Sequence, residues 1–224
     1  MGDRTGAYLF IPKEGKGPYQ TVIHWPGKSA LDLNSIFEVT TKDGPDILTK
    51  TGRAVVIPVV RGTFDRKWTP EIKSKTTGQE RLAMMVKDFM RTLDYLETRP
   101  EFDVQKLAYE GLSWGAGMGS IIPAIEKRIK AIVLVGAGLY AQNPPYFSPI
   151  NLAPRITAPV LIQNGKYDFA ASVEKELTPL LGLFGTPDKD KTLKLYECGH
   201  AVWMRMEQKR DEIDFLDKVF GPAK

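Results

Sequence analysis

Cysteine and histidine are almost missing from this chain of 224 residues, which holds one Cys and two His. A single cysteine, Cys198, excludes an intrachain disulfide and fits a reducing compartment. So few soft ligands leave almost no way to build a His- or Cys-rich metal site. Long apolar runs are missing too. Ala54–Val60 and Ala131–Val135 are strand-sized, far short of the roughly 20 residues a membrane span needs. Met1–Thr5 is polar, and Ala7–Pro12 lacks both the length and the small-residue cleavage site of a secretory signal. Met1-Gly2 fails as a myristoylation motif because position 6 is Gly rather than Ser or Thr. The net charge of +4 comes from interspersed Lys and Arg, with no basic run of five, so a solvated surface is expected rather than a nucleic-acid site. A cytoplasmic protein with neither a nucleic-acid nor a membrane partner is the expectation.

Hydrophobic residues make up 42% and charged residues 26%, a balance that supports a packed core. The length suits one domain over residues 1–224. Strand-like segments are Ala7–Ile11, Thr21–Trp25, Ala54–Val60, Leu107–Leu112, Ala131–Gly136, Val160–Asn164 and Leu193–Glu197. Several are continuous apolar runs, the pattern of parallel strands covered on both faces. Leu82, Met85, Val86, Phe89, Leu93 and Leu96 follow the 3.6-residue helical period, closed by Pro100. Further helices are expected from near Met118, from near Ser172, and from about Met204 to Phe220. Alternating strands and helices predict an α/β fold with a mostly parallel sheet. Tyr140–Pro154 breaks the pattern with four prolines and three aromatics, and reads as a loop or small cap. Ligands of such sheets bind outside the carboxyl ends of the strands.

Gly111-Leu112-Ser113-Trp114-Gly115 stands at one such end, between an apolar run and the helix-opening Ala116-Gly117-Met118. This is the setting of a nucleophile elbow, in which small residues two before and two after the serine let strand and helix approach. A serine needs a base, and only His24 and His200 exist. His24 lies inside an early strand; His200 follows the last strand, in the order nucleophile, acid, base. The acid should follow the intervening strand, and Asp168 does so in Gly165-Lys166-Tyr167-Asp168. Glu174 and Glu176 compete for that role but fall at helical spacing. An oxyanion hole would use the amide of Trp114 and one from the loop Trp25-Pro26-Gly27-Lys28, where the Lys28 amide is the expected donor. Trp25, Tyr140, Phe169 and Trp203 lie near strand ends and are candidates to line a substrate pocket. No cofactor is required.

Gly136-Ala137-Gly138-Leu139-Tyr140-Ala141 also matches a dinucleotide fingerprint, but Asn143-Pro144-Pro145 follows it. No helix there could present its amino end to a pyrophosphate, and no acid follows at the required distance. A non-catalytic domain on the same fold would be favoured by a missing triad member, and all three are present.

Ala54–Arg66 (AVVIPVVRGTFDR), Thr92–Gly117 (TLDYLETRPEFDVQKLAYEGLSWGAG), Asn151–Ile156, Val160–Phe169 (VLIQNGKYDF) and Leu183–Asp190 together resemble the dienelactone hydrolase-like and prolyl-oligopeptidase-like branch of the α/β-hydrolases. More narrowly, they resemble the carboxyl-terminal hydrolase domain of bacterial proteins that begin with a serine/threonine kinase domain. The resemblance implies the triad Ser113, Asp168 and His200 and hydrolysis of a small-molecule ester, with peptidase or lyase chemistry open to the same triad. The amino end departs from the family pattern. Only about twenty residues precede Thr21, where such folds usually have one or two antiparallel strands. Either the domain is trimmed or its sheet has a bare edge, and a bare edge invites a homodimer.

Overall fold

The computed structural model describes residues 4–38, 45–139 and 145–223. Its strands are β1 Gly6–Phe10, β2 Tyr19–Trp25, β3 Ala54–Val59, β4 Phe102–Leu112, β5 Ile129–Val135, β6 Val160–Gly165 and β7 Lys191–Tyr196. They form one sheet in the order β1-β3-β2-β4-β5-β6-β7. β1 pairs antiparallel with β3, and every other neighbouring pair is parallel. Each strand overlaps an apolar segment of the sequence, and β4 starts five residues before its segment, at Phe102. The helices are α1 Pro45–Lys50, α2 Pro70–Lys75, α3 Gly78–Glu97, α4 Trp114–Gly119, α5 Ile122–Ile125, α6 Pro149–Leu152, α7 Thr178–Leu183 and α8 Met206–Phe220. α1, α2 and α6 are single short turns of four to six residues, too brief to show a period in the sequence. No described helix is long and apolar enough to cross a membrane.

Every residue of β2 and β3 is buried, because the sheet carries a separate core on each face. Alternation divides the strands between them: Val56 and Leu134 feed one core, Val55 and Val133 the other. On the first face lies α3. A capping box of Thr77 and Glu80 starts this helix, satisfying two amides that have no partner inside it. Its apolar stripe then sets Phe89 against Trp25 and Tyr109, at ring-centroid distances of 5.8 and 5.7 Å. Burying one such ring contributes roughly 1.5–3 kcal/mol.

The second face holds α8 and a buried polar cluster. Glu110 on β4 projects beside His24 on β2, with Oε2 and Nδ1 2.8 Å apart. From α8, Lys209 Nζ donates to Glu110 Oε1 at 2.9 Å and to Glu212 Oε2 at 3.0 Å. None of the four side chains is more than 5% exposed. Burial opposes ionisation of Glu110, yet Lys209 and His24 outweigh it and hold the carboxyl well below its ordinary range. Burial, then the charge on Glu110, pushes Glu212 up to about 7. The cluster bolts α8 to β2 and β4, two strands that carry the site described below.

Strand order reverses at β2: the chain steps to β3 on one side and then to β4 on the other. The carboxyl ends of β2 and β4 therefore flank a crevice, the usual place for a ligand in such sheets.

Two outcomes follow from the buried cluster. Removing the shared cation by Lys209→Met leaves facing carboxylates uncompensated and should cost about 3–5 kcal/mol in urea unfolding. The pH dependence has a definite sign. Glu212 binds its proton more tightly when folded than at the ordinary value of 4.5, so its contribution is full below that value and fades as pH rises to about 7. Glu110 behaves oppositely and loses its contribution as pH falls below the ordinary range. Calorimetry of wild type and Glu212→Gln should therefore show a smaller fall in Tm for the variant between pH of about 5 and about 8. Parallel Tm curves would contradict this assignment.

Candidate active site

Ser113 follows the last residue of β4 and precedes the first residue of α4. Its amide donates to the carbonyl of Val135 on β5 at 2.7 Å, while its own carbonyl accepts from Gly117 at 3.1 Å. Held between strand and helix, Ser113 adopts φ 51° and ψ −105°, a region that costs a non-glycine residue of order 1–3 kcal/mol. Only Phe64 shares a positive φ among the described non-glycine residues. The glycines on either side make the turn possible by size. A Cβ on Gly111 would lie 2.3 Å from the carbonyl oxygen of Gly115, and one on Gly115 would lie 2.1 Å from that of Trp25.

Asp168 and His200 reach the serine from two further strand ends. The loop after β6 carries Asp168 and the loop after β7 carries His200. They are tied together by backbone bonds from Lys166 to Tyr196 (2.8 Å) and from Tyr167 to Cys198 (3.0 Å). His200 Nε2 lies 2.9 Å from Ser113 Oγ, and His200 Nδ1 lies 2.8 Å from Asp168 Oδ2. A carboxylate only accepts, so Nδ1 carries the hydrogen and Nε2 is free to accept from the serine hydroxyl. The Asp168 side chain is fully buried, whereas that of His200 is 17% exposed. The chain thus joins a strained, accessible hydroxyl to an imidazole, and the imidazole to a dry carboxylate. Such a chain can draw a proton from the hydroxyl and stabilise the cation that results.

Trp114 opens α4, and Lys28 opens a short 3-10 turn, Lys28–Leu31, after β2. An amide at the first position of a helix has no carbonyl within the helix to bond, and these two flank the crevice at β2 and β4. The Lys28 side chain is exposed.

The aromatic candidates divide. Phe169 is 88% exposed. Its ring stands 5.4 Å from that of His200, and Trp203 meets the imidazole edge-on at the same distance. Trp25, expected on the pocket wall, is instead a core residue with 1% exposure, packed on Phe89 and on Trp114. Alternation explains this: its side chain leaves the strand toward α3, and only its backbone borders the site. Tyr140 lies outside the described residues. Of the proline-rich segment, residues 145–155 form short helical turns.

Two residues escaped the sequence reading. Gly136, at φ 69°, follows β5 and backs onto His200; a Cβ there would stand 3.2 Å from His200 Cε1. The glycines weighed above as a nucleotide loop thus include one that makes room for the imidazole. Asn164, fully buried at the end of β6, donates through Nδ2 to Asp168 Oδ2 at 3.1 Å. The polar pair Gln163-Asn164 closing an apolar buried strand was the available signal.

Comparison with known proteins agrees with the fold. The acetyl xylan esterase from Paenibacillus sp. R4 superposes with a TM-score of 0.72 at 18% identity, over 96% of this chain and 80% of that one. A cold-adapted esterase from an Arctic intertidal metagenomic library gives 0.70 at 23% identity, over 96% and 88%. Both likenesses establish the α/β-hydrolase fold. In sequence, the "putative hydrolase" YtaP of Bacillus subtilis (strain 168) is 27% identical over 143 residues, 58% of this chain; the chain spans about half the length of that relative, 48%. The model of the dienelactone hydrolase family matches residues 7–214, and the chain belongs to that family.

Proposed function

We propose that this protein is a serine esterase that works through an acyl-enzyme. The observation that carries the reading is the unbroken hydrogen-bonded line from Ser113 Oγ through His200 to Asp168, at 2.9 and 2.8 Å. In this scheme Ser113 attacks the ester carbonyl and His200 takes its proton. The amides of Trp114 and Lys28 receive the developing oxyanion. His200 then returns the proton to the leaving alcohol, and water repeats the cycle on the acyl-enzyme. Asp168 keeps the imidazole in the tautomer that can accept.

Phe169 and Trp203 flank the imidazole and offer apolar faces to the substrate beside the reacting atoms. Small or short acyl groups suit the limited chain between Leu139 and Pro154, which leaves little material for a large lid. The esterases among the structural neighbours support ester chemistry of this kind. A cytoplasmic setting rests on the single cysteine.

A homodimer through β1 is also part of the proposal. β1 pairs only with β3 among the described residues. Its sequence GAYLF carries neither a charge nor a proline to guard the free edge. Antiparallel pairing of two such edges about a two-fold axis would be self-complementary.

Hydrolysis of a nitrophenyl ester series tests the chemistry. Turnover should be highest for short acyl chains, and Ser113→Ala should lower kcat on the order of 10⁶-fold; unchanged turnover in the variant would sink the mechanism. For assembly, sedimentation equilibrium should return twice the chain mass, and Tyr8→Pro should shift the population to monomer. A wild-type monomer at all accessible concentrations would rule the dimer out.

A further inference from the structure

Asn164 makes three hydrogen bonds with one small amide group. Its Nδ2 donates to Asp168 Oδ2 at 3.1 Å and to the carbonyl of Ala137 at 3.1 Å. Its Oδ1 accepts from the Ala137 amide at 2.8 Å. The side chain has no exposed surface, so water cannot substitute for any of these bonds. Turning the amide over would aim an oxygen at the Asp168 carboxylate and a nitrogen at a backbone N–H. The hydrogen-bond pattern therefore admits one orientation only.

Asp168 stands in need of such a partner. It sits on a loop, three residues past the end of β6, and its carboxylate is fully buried. Oδ1 accepts from the Ala170 amide at 2.8 Å, which leaves Oδ2 to serve the imidazole. Without Asn164, the imidazole alone would hold Oδ2, and rotation of the carboxylate would carry the imidazole with it. The bonds to Ala137 reach the other side of the ring, because Gly136 backs onto His200 Cε1. One side chain on a rigid strand end thereby holds both the acid and the backbone wall behind the base.

We infer that Asn164 is a positioning residue of the catalytic apparatus, setting Asp168 and the Gly136-Ala137 backbone so that His200 meets Ser113. The inference rests on the triad assigned to this protein above. Displacing reacting groups by about 1 Å lowers rates on the order of 100-fold. That is the size of effect expected here, in kcat rather than KM, because Asn164 borders no substrate contact identified in the structure.

Two substitutions test it. Asn164→Ala should lower kcat on the order of 100-fold with KM changed by less than about threefold, while circular dichroism shows a folded protein. Asn164→Asp keeps an acceptor for the Ala137 amide and separates positioning from simple strapping. While the introduced carboxyl holds a proton it can donate to Asp168 as the amide does. Once ionised it places a second carboxylate against the first, and like charges so close cannot both be accommodated. The variant should follow the wild type on the acid side of the profile and lose kcat toward alkaline pH, on a limb the wild type lacks, with melting followed at each pH. The titratable groups facing Asp168 are His200, bonded to its Oδ2 at 2.8 Å, and Cys198, with Glu197, Arg205 and Glu207 beyond it; all are equally present in the wild type, so the added limb belongs to the variant. An unaltered kcat in Asn164→Ala, or a pH profile of Asn164→Asp that superposes on wild type, would overturn the inference. Ser113→Ala run alongside separates the two failures. If it stays active, the triad itself is wrong. If it is inactive while both Asn164 variants behave as wild type, only the role of Asn164 falls.

Discussion

The amide of Ser113 donates to the carbonyl of Val135 on the neighbouring strand, and the geometry of the site depends on that bond. It extends the β4–β5 ladder one residue beyond the regular strand and then obliges the chain to turn sharply into α4. The serine absorbs the turn in a left-handed conformation, at a cost that only a well-packed surround can sustain. That surround is close at hand. Gly115 presses against the Trp25 backbone, Trp25 packs on Phe89, and Phe89 anchors α3. Strain at one residue is thus balanced by the apolar core beneath it, and the hydroxyl is left where β2, β4, β6 and β7 end.

Beneath the opposite face, Glu110, only three residues before the serine, ties β4 to α8 through Lys209. Buried ion clusters seldom add net stability compared with a well-packed apolar core. Their geometric demands are strict, though, and here they register α8 against the two strands that border the crevice. The nucleophile therefore stands at the end of a strand held from both faces, by ring packing on one and by charge on the other.

Much of this was legible from residue order. Seven apolar segments became seven strands, because continuous runs have few alternatives once both faces of a sheet are covered. Ser113, Asp168 and His200 were identifiable from their places after three strands, and the structure brings them within hydrogen-bonding distance. Asn164 and Gly136 were not legible in the same way. Their significance lies in partners 27 residues away for Asn164 and in the loop after β7 for Gly136, which no local pattern encodes. Trp25 misled for a related reason. Its position at a strand end is correct, but the parity of the strand decides which face its ring enters, and that face is the core.

Local chemistry in the sequence determined the class of the sheet, the turn at Ser113 and the identity of the eligible base, since hydrophobic period, glycine spacing and the scarcity of histidine are one-dimensional properties. Tertiary structure alone decided the strand order that opens the crevice between β2 and β4. It also decided which aromatic rings reach the imidazole and which amide holds the acid. Those outcomes are contacts between distant segments, fixed only when the two cores close and buried polar groups such as Asn164 find partners across them.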